Sequence, residues 1–312
     1  MSDEPTIVFT NVSKWYGDTV AVADVSVELR PGVTGLLGHN GAGKSTALKL
    51  CGGFATPSQG SVRVLGTEPR LDPQAYRRIG IVPDGDGMWG FLTARRLVAA
   101  CARMRGVADP DSAAERALRE VDLLDAADRR VAGFSKGMRQ RVKLAQALAH
   151  DPEVLLLDEP LNGLDPAQRL HVVDLIRRLG EEGRTVLVSS HVLHEVERMA
   201  PRVVVFVNGK LVAEGGTTDI RDAILDRPRT VRIETPRSSD LARALIGERL
   251  VHSVRLTDGH LEVDTADVER FGLRLPALAR ECGATLRAVA PLGDDLESVY
   301  SYLTDRARGR MR

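Results

Sequence analysis

The chain has 312 residues with 43 basic and 43 acidic side chains, a length that buries a large core and favours two domains over one small module. The balanced charge leaves no bulk field to attract nucleic acid or an anionic membrane, so specific sites must carry the function. Cys51, Cys101 and Cys282 are scattered, odd in number and outside any CxxC spacing, which excludes a disulfide framework or thiolate metal site and fits a reducing, cytoplasmic setting.

The opening MSDEPTIVFTNVSKW lacks the charged-then-apolar layout of a signal segment. Apolar runs such as Leu97 to Ala102 and Val203 to Val207 are too short to span a bilayer, so work at a membrane calls for a partner. TIVFTNVSKWY and TVAVADVSVELR read as strands of an N-terminal antiparallel sheet, the second closed by the turn pair Pro31-Gly32. From VTGLLG onward, short apolar strands alternate with helices: GLLG then STALKLCG, VLLLD then PAQRLHVVDLIRRLG, and TVLVSSH then VLHEVERMA. That alternation predicts a parallel α/β sheet.

Leu97 to His150 interrupts it with Ala-, Arg- and Leu-rich segments of helical period, AAERALREVDLLDAA and MRQRVKLAQALAH, which predict an inserted helical subdomain over about 84–150. The texture changes again after Asp226. Here TVRIE, SDLARALIG, LVHSVRL, LEVD, DVERFGLRLPALARECG and TLRAVA give a β-α-β-β-α-β order, compatible with a ferredoxin-like α+β domain, followed by a helix in LESVYSYLT. The expected division is 1–225 and 226–312. The closing RARGRMR reads as a frayed basic tail, with contact to anionic lipid as the alternative.

GHNGAGKS, Gly38 to Ser45, fits GxxxxGK(S/T) between an apolar strand and a helix. The chemistry wants glycines so that backbone N–H groups curl around phosphate oxygens at a helix N-terminus, with a cation for the β and γ groups. Lys44 is that cation and Ser45 offers a hydroxyl to Mg2+. His39, Asn40, Gly41, Ala42, Gly43 and Thr46 complete the cradle. A second strand, Val154 to Leu157, is apolar throughout and ends in Asp158-Glu159-Pro160. Adjacent carboxylates at a strand end are costly unless a cation meets them. Asp158 is expected to hold Mg2+ and Glu159 to orient or deprotonate an attacking water; solvated acids in a turn are the alternative.

His191, at the end of TVLVSSH, is expected to contact the γ-phosphate. Its neighbours His194 and Glu195 invite a metal reading, but the order matches neither HExxH nor HxxEH, and His194 reads as a helix-surface residue. Gly38, Asp158 and His191 each follow a strand, so all three converge on the carboxyl edge where open α/β sheets bind ligands.

GFSKGMRQRVKLAQALAHDPEVLLLDEPLNGLDP resembles the ABC ATPases. Phe134 to Met138 matches the signature usually written LSGGQ, Asn162 to Asp165 matches the D-loop, and the resemblance runs from about Ile7 to Gly216. It implies a P-loop ABC ATPase core whose signature residues, Ser135, Lys136 and Gly137, with Asp165, meet ATP bound to an opposite subunit in a homodimer or heterodimer. Ser135 is also a good N-cap for its helix, and locally capping and phosphate binding are indistinguishable. Tyr16 matches the aromatic that stacks on adenine, with core packing as the alternative.

Lys136 and Met138 depart from LSGGQ in the manner of ATPases of drug and polysaccharide exporters whose membrane domains are separate chains. A second departure lies in IGIVPDGDGMWG, where Asp84 stands where the family usually has a glutamine near Mg2+ and the attacking water. Pro83-Asp84-Gly85 is also a turn sequence, so turn-forming and ligand-sensing both stay open; a carboxylate binds Mg2+ or accepts a proton but cannot donate as an amide does. Met88, Trp89, Phe91 and Leu92 suit either contact with a permease or packing inside the helical subdomain.

The resemblance implies an ATP-hydrolysing subunit of an exporter, using ATP and Mg2+, peripheral on the cytoplasmic membrane face through a permease, with no nucleic-acid partner. A soluble non-transport ABC ATPase and a nucleotide-binding module with little turnover are the alternatives. The C-terminal domain resembles the appended regulatory or dimer-stabilising domain of exporter ATPases.

Overall fold

The computed structural model describes residues 4–85, 87–217, 220, 229–257 and 260–292, in two compact units, Met1–Thr218 and Asp219–Arg312. The expected boundary at 225/226, the helix expected in LESVYSYLT and the basic tail lie outside the described residues.

In the first unit, β1 (Ile7–Tyr16), β2 (Thr19–Leu29) and β4 (Gln59–Val64) form an antiparallel sheet in the order β2-β1-β4. Ile7 pairs with Leu29 on one side and Val64 on the other. Ile7, Phe9, Val25, Val27 and Leu29 are buried at the period-2 spacing of a strand, and a register shift after Phe9 puts Val12 on the buried face as well. A second, six-stranded sheet contains β3 (Gly32–Leu37), β5 (Ile79–Val82), β6 (Val154–Leu157), β7 (Thr185–Ser190), β8 (Arg202–Val207) and β9 (Lys210–Gly216). Its order is β5-β6-β7-β3-β8-β9, parallel except for β9. Every residue of β6 and β7 is buried because both faces are covered, which is why their sequences are apolar runs rather than alternations.

Helices α1 (Lys44–Cys51), α5 (Pro166–Glu181) and α6 (Leu193–Met199) follow β3, β6 and β7. The helical insert holds α2 (Ala94–Met104), α3 (Pro110–Glu120) and α4 (Lys136–Leu148). Each begins on a side-chain cap, Thr93, Asp109 or Ser135, accepting from the backbone N–H three residues on. The apolar face expected for α4 is present, but it also buries Gln140, Arg141 and Lys143.

The second unit follows the expected order: β10 (Arg229–Glu234), α7 (Ser238–Ile246), β11 (Val251–Thr257), β12 (His260–Thr265), α8 (Val268–Glu281) and β13 (Ala288–Leu292). The sheet order β11-β12-β10-β13, antiparallel throughout, is that of a ferredoxin-like domain. Leu241 and Leu245 of α7 and Phe271, Leu275 and Leu278 of α8 pack on Val231, Ile233, Leu261 and Val263. The last strand starts later than TLRAVA suggests, since the ladder opens with Arg287 N–H donating to Glu234 O. Among the described residues no helix is long and apolar enough to cross a membrane.

Candidate nucleotide site

The loop after β3 has a shape that only glycine allows at two points. A Cβ on Gly38 would lie 2.4 Å from Phe206 O, and Gly43, at φ +107°, would place one 2.4 Å from Ala21 O. The loop closes around Lys44, the first residue of α1, whose Nζ donates to Gly38 O at 2.6 Å and His39 O at 3.3 Å while remaining only 5% exposed. Ser45 and Thr46 follow in the first turn, half-buried; Ala42 is buried, and Asn40 and Gly41 are exposed. The His39 ring sits 2.7 Å from Asn40 O. A glycine-shaped loop at a helix N-terminus with one sequestered cation is an arrangement that suits an anion.

The ends of β6 and β7 bring the acids to it. The parallel register pairs Leu157 with Val188, so Asp158 and Ser189 emerge side by side. The Ser189 hydroxyl donates to Asp158 Oδ1 at 2.6 Å and accepts from Glu159 N–H at 2.9 Å. Glu159 Oε1 lies 3.5 Å from Lys44 Nζ, and both its carboxylate oxygens lie 3.0–3.1 Å from His191 Nδ1. Glu159 holds φ +48°, a left-handed conformation that costs a non-glycine residue about 1–3 kcal/mol. Its carbonyl accepts from Asn162 N–H at 3.1 Å and Gln140 Nε2 at 3.4 Å. Lys44, Asp158, Glu159 and His191, read separately from the sequence, thus form one cluster.

Glu195 is spent on Arg169, at 2.9 Å, and on the Ser190 hydroxyl, at 3.0 Å, while His194 is 76% exposed. Among the described residues no group of histidine, cysteine and acidic side chains is arranged to hold a metal by itself.

Ser135 caps α4 by accepting from Met138 N–H at 3.2 Å, and Asp165 caps α5 by accepting from Gln168 N–H at 2.9 Å. These elements abut: a Cβ on Gly137 would meet Gly163 O at 3.0 Å, and one on Gly163 would meet the Lys136 side chain at 2.7 Å. Ser135, Lys136 and Asp165 are exposed, and among the described residues no hydrogen bond or ion pair joins them to the Lys44 cradle. Tyr16, at the end of β1, is 49% exposed and carries Lys14 Nζ 4.8 Å from its ring centroid.

Residues 22–162 match the family model described as ABC transporter. The bacitracin transport ATP-binding protein BcrA of Enterococcus faecalis is 30% identical over 96% of both chains. The chain belongs to the ATP-binding proteins of ABC transporters. The linearmycin resistance ATP-binding protein LnrL of Bacillus subtilis is 35% identical over 95% of this chain and 97% of its own. A solved ATP-binding subunit of an ABC transporter has a TM-score of 0.64 at 29% identity, covering 70% of this chain and 92% of that one. A dimeric ATP-binding cassette in a post-hydrolysis state with ADP and Pi has a TM-score of 0.63 at 25% identity over 68% of this chain and 98% of its own. The protein is an ATP-binding subunit of an exporter-type ABC transporter and an ATP hydrolase.

In this ABC ATPase, Asp84 stands two residues beyond β5, on the edge where Asp158 N–H donates to Val82 O at 2.8 Å. Its side chain is exposed and, among the described residues, joins no hydrogen bond or ion pair; Lys143 Nζ lies 3.4 Å from its carbonyl and from that of Pro83. Beyond it Trp89 and Phe91 are 50% and 71% exposed while Met88 and Leu92 are half-buried. The ABC fold implies Mg2+ with ATP, and the hard oxygen donors of Ser45 and Asp158 on this edge fit that ion rather than a softer metal.

Ser189, Gln140 and Lys143 belong to none of the sequence motifs. The visible signals were a polar pair ending an apolar strand and polar residues at apolar positions of an amphipathic helix.

Proposed function

We propose that two ATP-binding subunits close head to tail around ATP, and that closure and hydrolysis drive a separate membrane permease. The carrying observation is the Lys44–Glu159–His191 chain beside Asp158: a sequestered cation for the β and γ phosphates, with a carboxylate and an imidazole next to it. In this reading Lys44 and the Gly38–Thr46 loop bind the phosphates. Glu159 orients and takes a proton from the attacking water, and His191 holds Glu159 and reaches the γ-phosphate. Phosphoryl transfer needs positioning and charge stabilisation more than covalent help from the protein. Mg2+, bound through Ser45 and Asp158 with Asp84 near, would neutralise phosphate oxygens. Tyr16 would stack on adenine.

The exposed Ser135, Lys136 and Asp165, with Gly137 buried beside them and none tied to their own cradle among the described residues, support binding to the nucleotide of a second subunit. The exposed Trp89 and Phe91 support a permease contact rather than internal packing, which would keep the protein on the cytoplasmic face of the membrane. Domains at 1–225 and 226–312 would divide the labour, the first hydrolysing ATP and the second stabilising or regulating the dimer.

The test is sedimentation of Glu159→Gln with ATP or ADP, beside the ATPase activity of wild type and variant. Mass doubling with ATP alone, together with loss of turnover, is expected. Equal activity in both proteins and an unchanged mass would discard the reading.

A further inference from the structure

We infer that Ser189 is a positioning residue of the hydrolytic site, acting on both Asp158 and Glu159; this rests on the functional reading above. Its side chain is fully buried at the end of β7, and neither the phosphate cradle nor core packing accounts for a hydroxyl there. A serine hydroxyl has one proton and two lone pairs. The proton goes to Asp158 Oδ1 at 2.6 Å, the short separation of a bond to a charged acceptor. A lone pair takes Glu159 N–H at 2.9 Å. One oxygen therefore sets the carboxylate expected to face the metal and the backbone of the residue expected to activate water.

Glu159 needs such a clamp because its left-handed φ persists only when its surroundings over-determine it. Of the interactions that hold it, those to Lys44 and His191 engage the carboxylate, which must exchange partners when a phosphate and a water arrive. The Asn162 and Gln140 bonds hold the carbonyl. Ser189 alone among these acts on the amide, and it is tied to the neighbouring acid at the same time. Removing the hydroxyl would let the Asp158 carboxylate turn and the Glu159 peptide relax, while every group that touches the substrate stays in the chain.

The experiment compares wild type, Ser189→Ala and Ser189→Cys as full chains. Cysteine fills the site but donates weakly, so it separates packing from hydrogen bonding. Binding of a non-hydrolysable ATP analogue is measured in EDTA and across a Mg2+ titration, with steady-state ATPase and thermal melts in parallel. Both variants are expected to need about 10–100-fold more Mg2+ for half-maximal analogue binding and to lose kcat on a similar scale, with binding in EDTA changed less than about 3-fold. An unchanged Mg2+ requirement and kcat in Ser189→Cys, whatever the melting temperature, would overturn the assignment. Failure of both variants to fold would overturn it too, by marking the hydroxyl as structural. Wild type without ATPase activity would instead remove the functional reading beneath it.

Discussion

Glu159→Gln separates two jobs that one carboxylate performs. Glu159 Oε1 lies 3.5 Å from Lys44 Nζ, both side chains being almost fully buried, at 6% and 11% exposure. Coulomb's law at that separation gives about 1 kcal/mol in a water-like medium and about 5 kcal/mol at an effective dielectric of 20. An incoming γ-phosphate competes for the same ammonium, so the attraction opposes ATP binding. Glutamine keeps the shape but not the charge, so the water-like value is a lower bound and ATP affinity should rise at least about fivefold. Turnover should fall by about 10²–10⁴, the contribution of a well-placed base. The assay is equilibrium binding of ATP to wild type and variant on ice, where turnover is slow, with steady-state phosphate release at working temperature. Weaker ATP binding by the variant would refute the competition argument. Turnover within about threefold of wild type would refute the role of Glu159 as base.

Gly43→Ala should abolish ATP binding, because φ +107° strains any side chain there and the new Cβ would stand 2.4 Å from the fixed Ala21 carbonyl; binding at near wild-type affinity would show that the loop yields. Asp84→Ala should depress partner-stimulated hydrolysis more than ATP binding, and unchanged stimulated turnover would leave Pro83-Asp84-Gly85 a turn and nothing more. His150 gives a pH signature. Burial, then the nearby Arg105 charge, lowers its pKa to about 4 against a partial counter-effect from Ile79 O, and among the described residues its buried Nδ1 has no acceptor for the N–H that a second proton would create. The unfolded chain therefore binds the proton first: this contribution is complete above pH ~6.5 and is lost towards pH 4, at about 1.4 kcal/mol per pH unit. The urea midpoint should fall further between pH 7.5 and pH 5 in wild type than in His150→Gln, and equal falls would contradict this.

Sequence alone determined the features that are local in the chain. The Gly38–Ser45 cradle was legible because a backbone wrapped around phosphate needs its glycines, lysine and serine consecutively, between one strand and one helix. Asp158-Glu159 was legible because two acids closing an apolar run call for a cation to meet them, and the ferredoxin-like order because periods of two and 3.6 alternate cleanly after Asp226. Strands β4 and β5 were harder, one carrying Gln59 and Gly60 and the other only four residues long.

Tertiary structure decided whatever depends on which strands are neighbours. Ser189 reaches Asp158 across 31 positions only because β6 and β7 pair in the Leu157–Val188 register. Gln140 and Lys143 look like breaks in an apolar face until α4 is packed beside Glu159 and the Asp84 turn. A hydroxyl's partner is chosen by a separation of a few ångströms after folding, and no spacing along the chain encodes it.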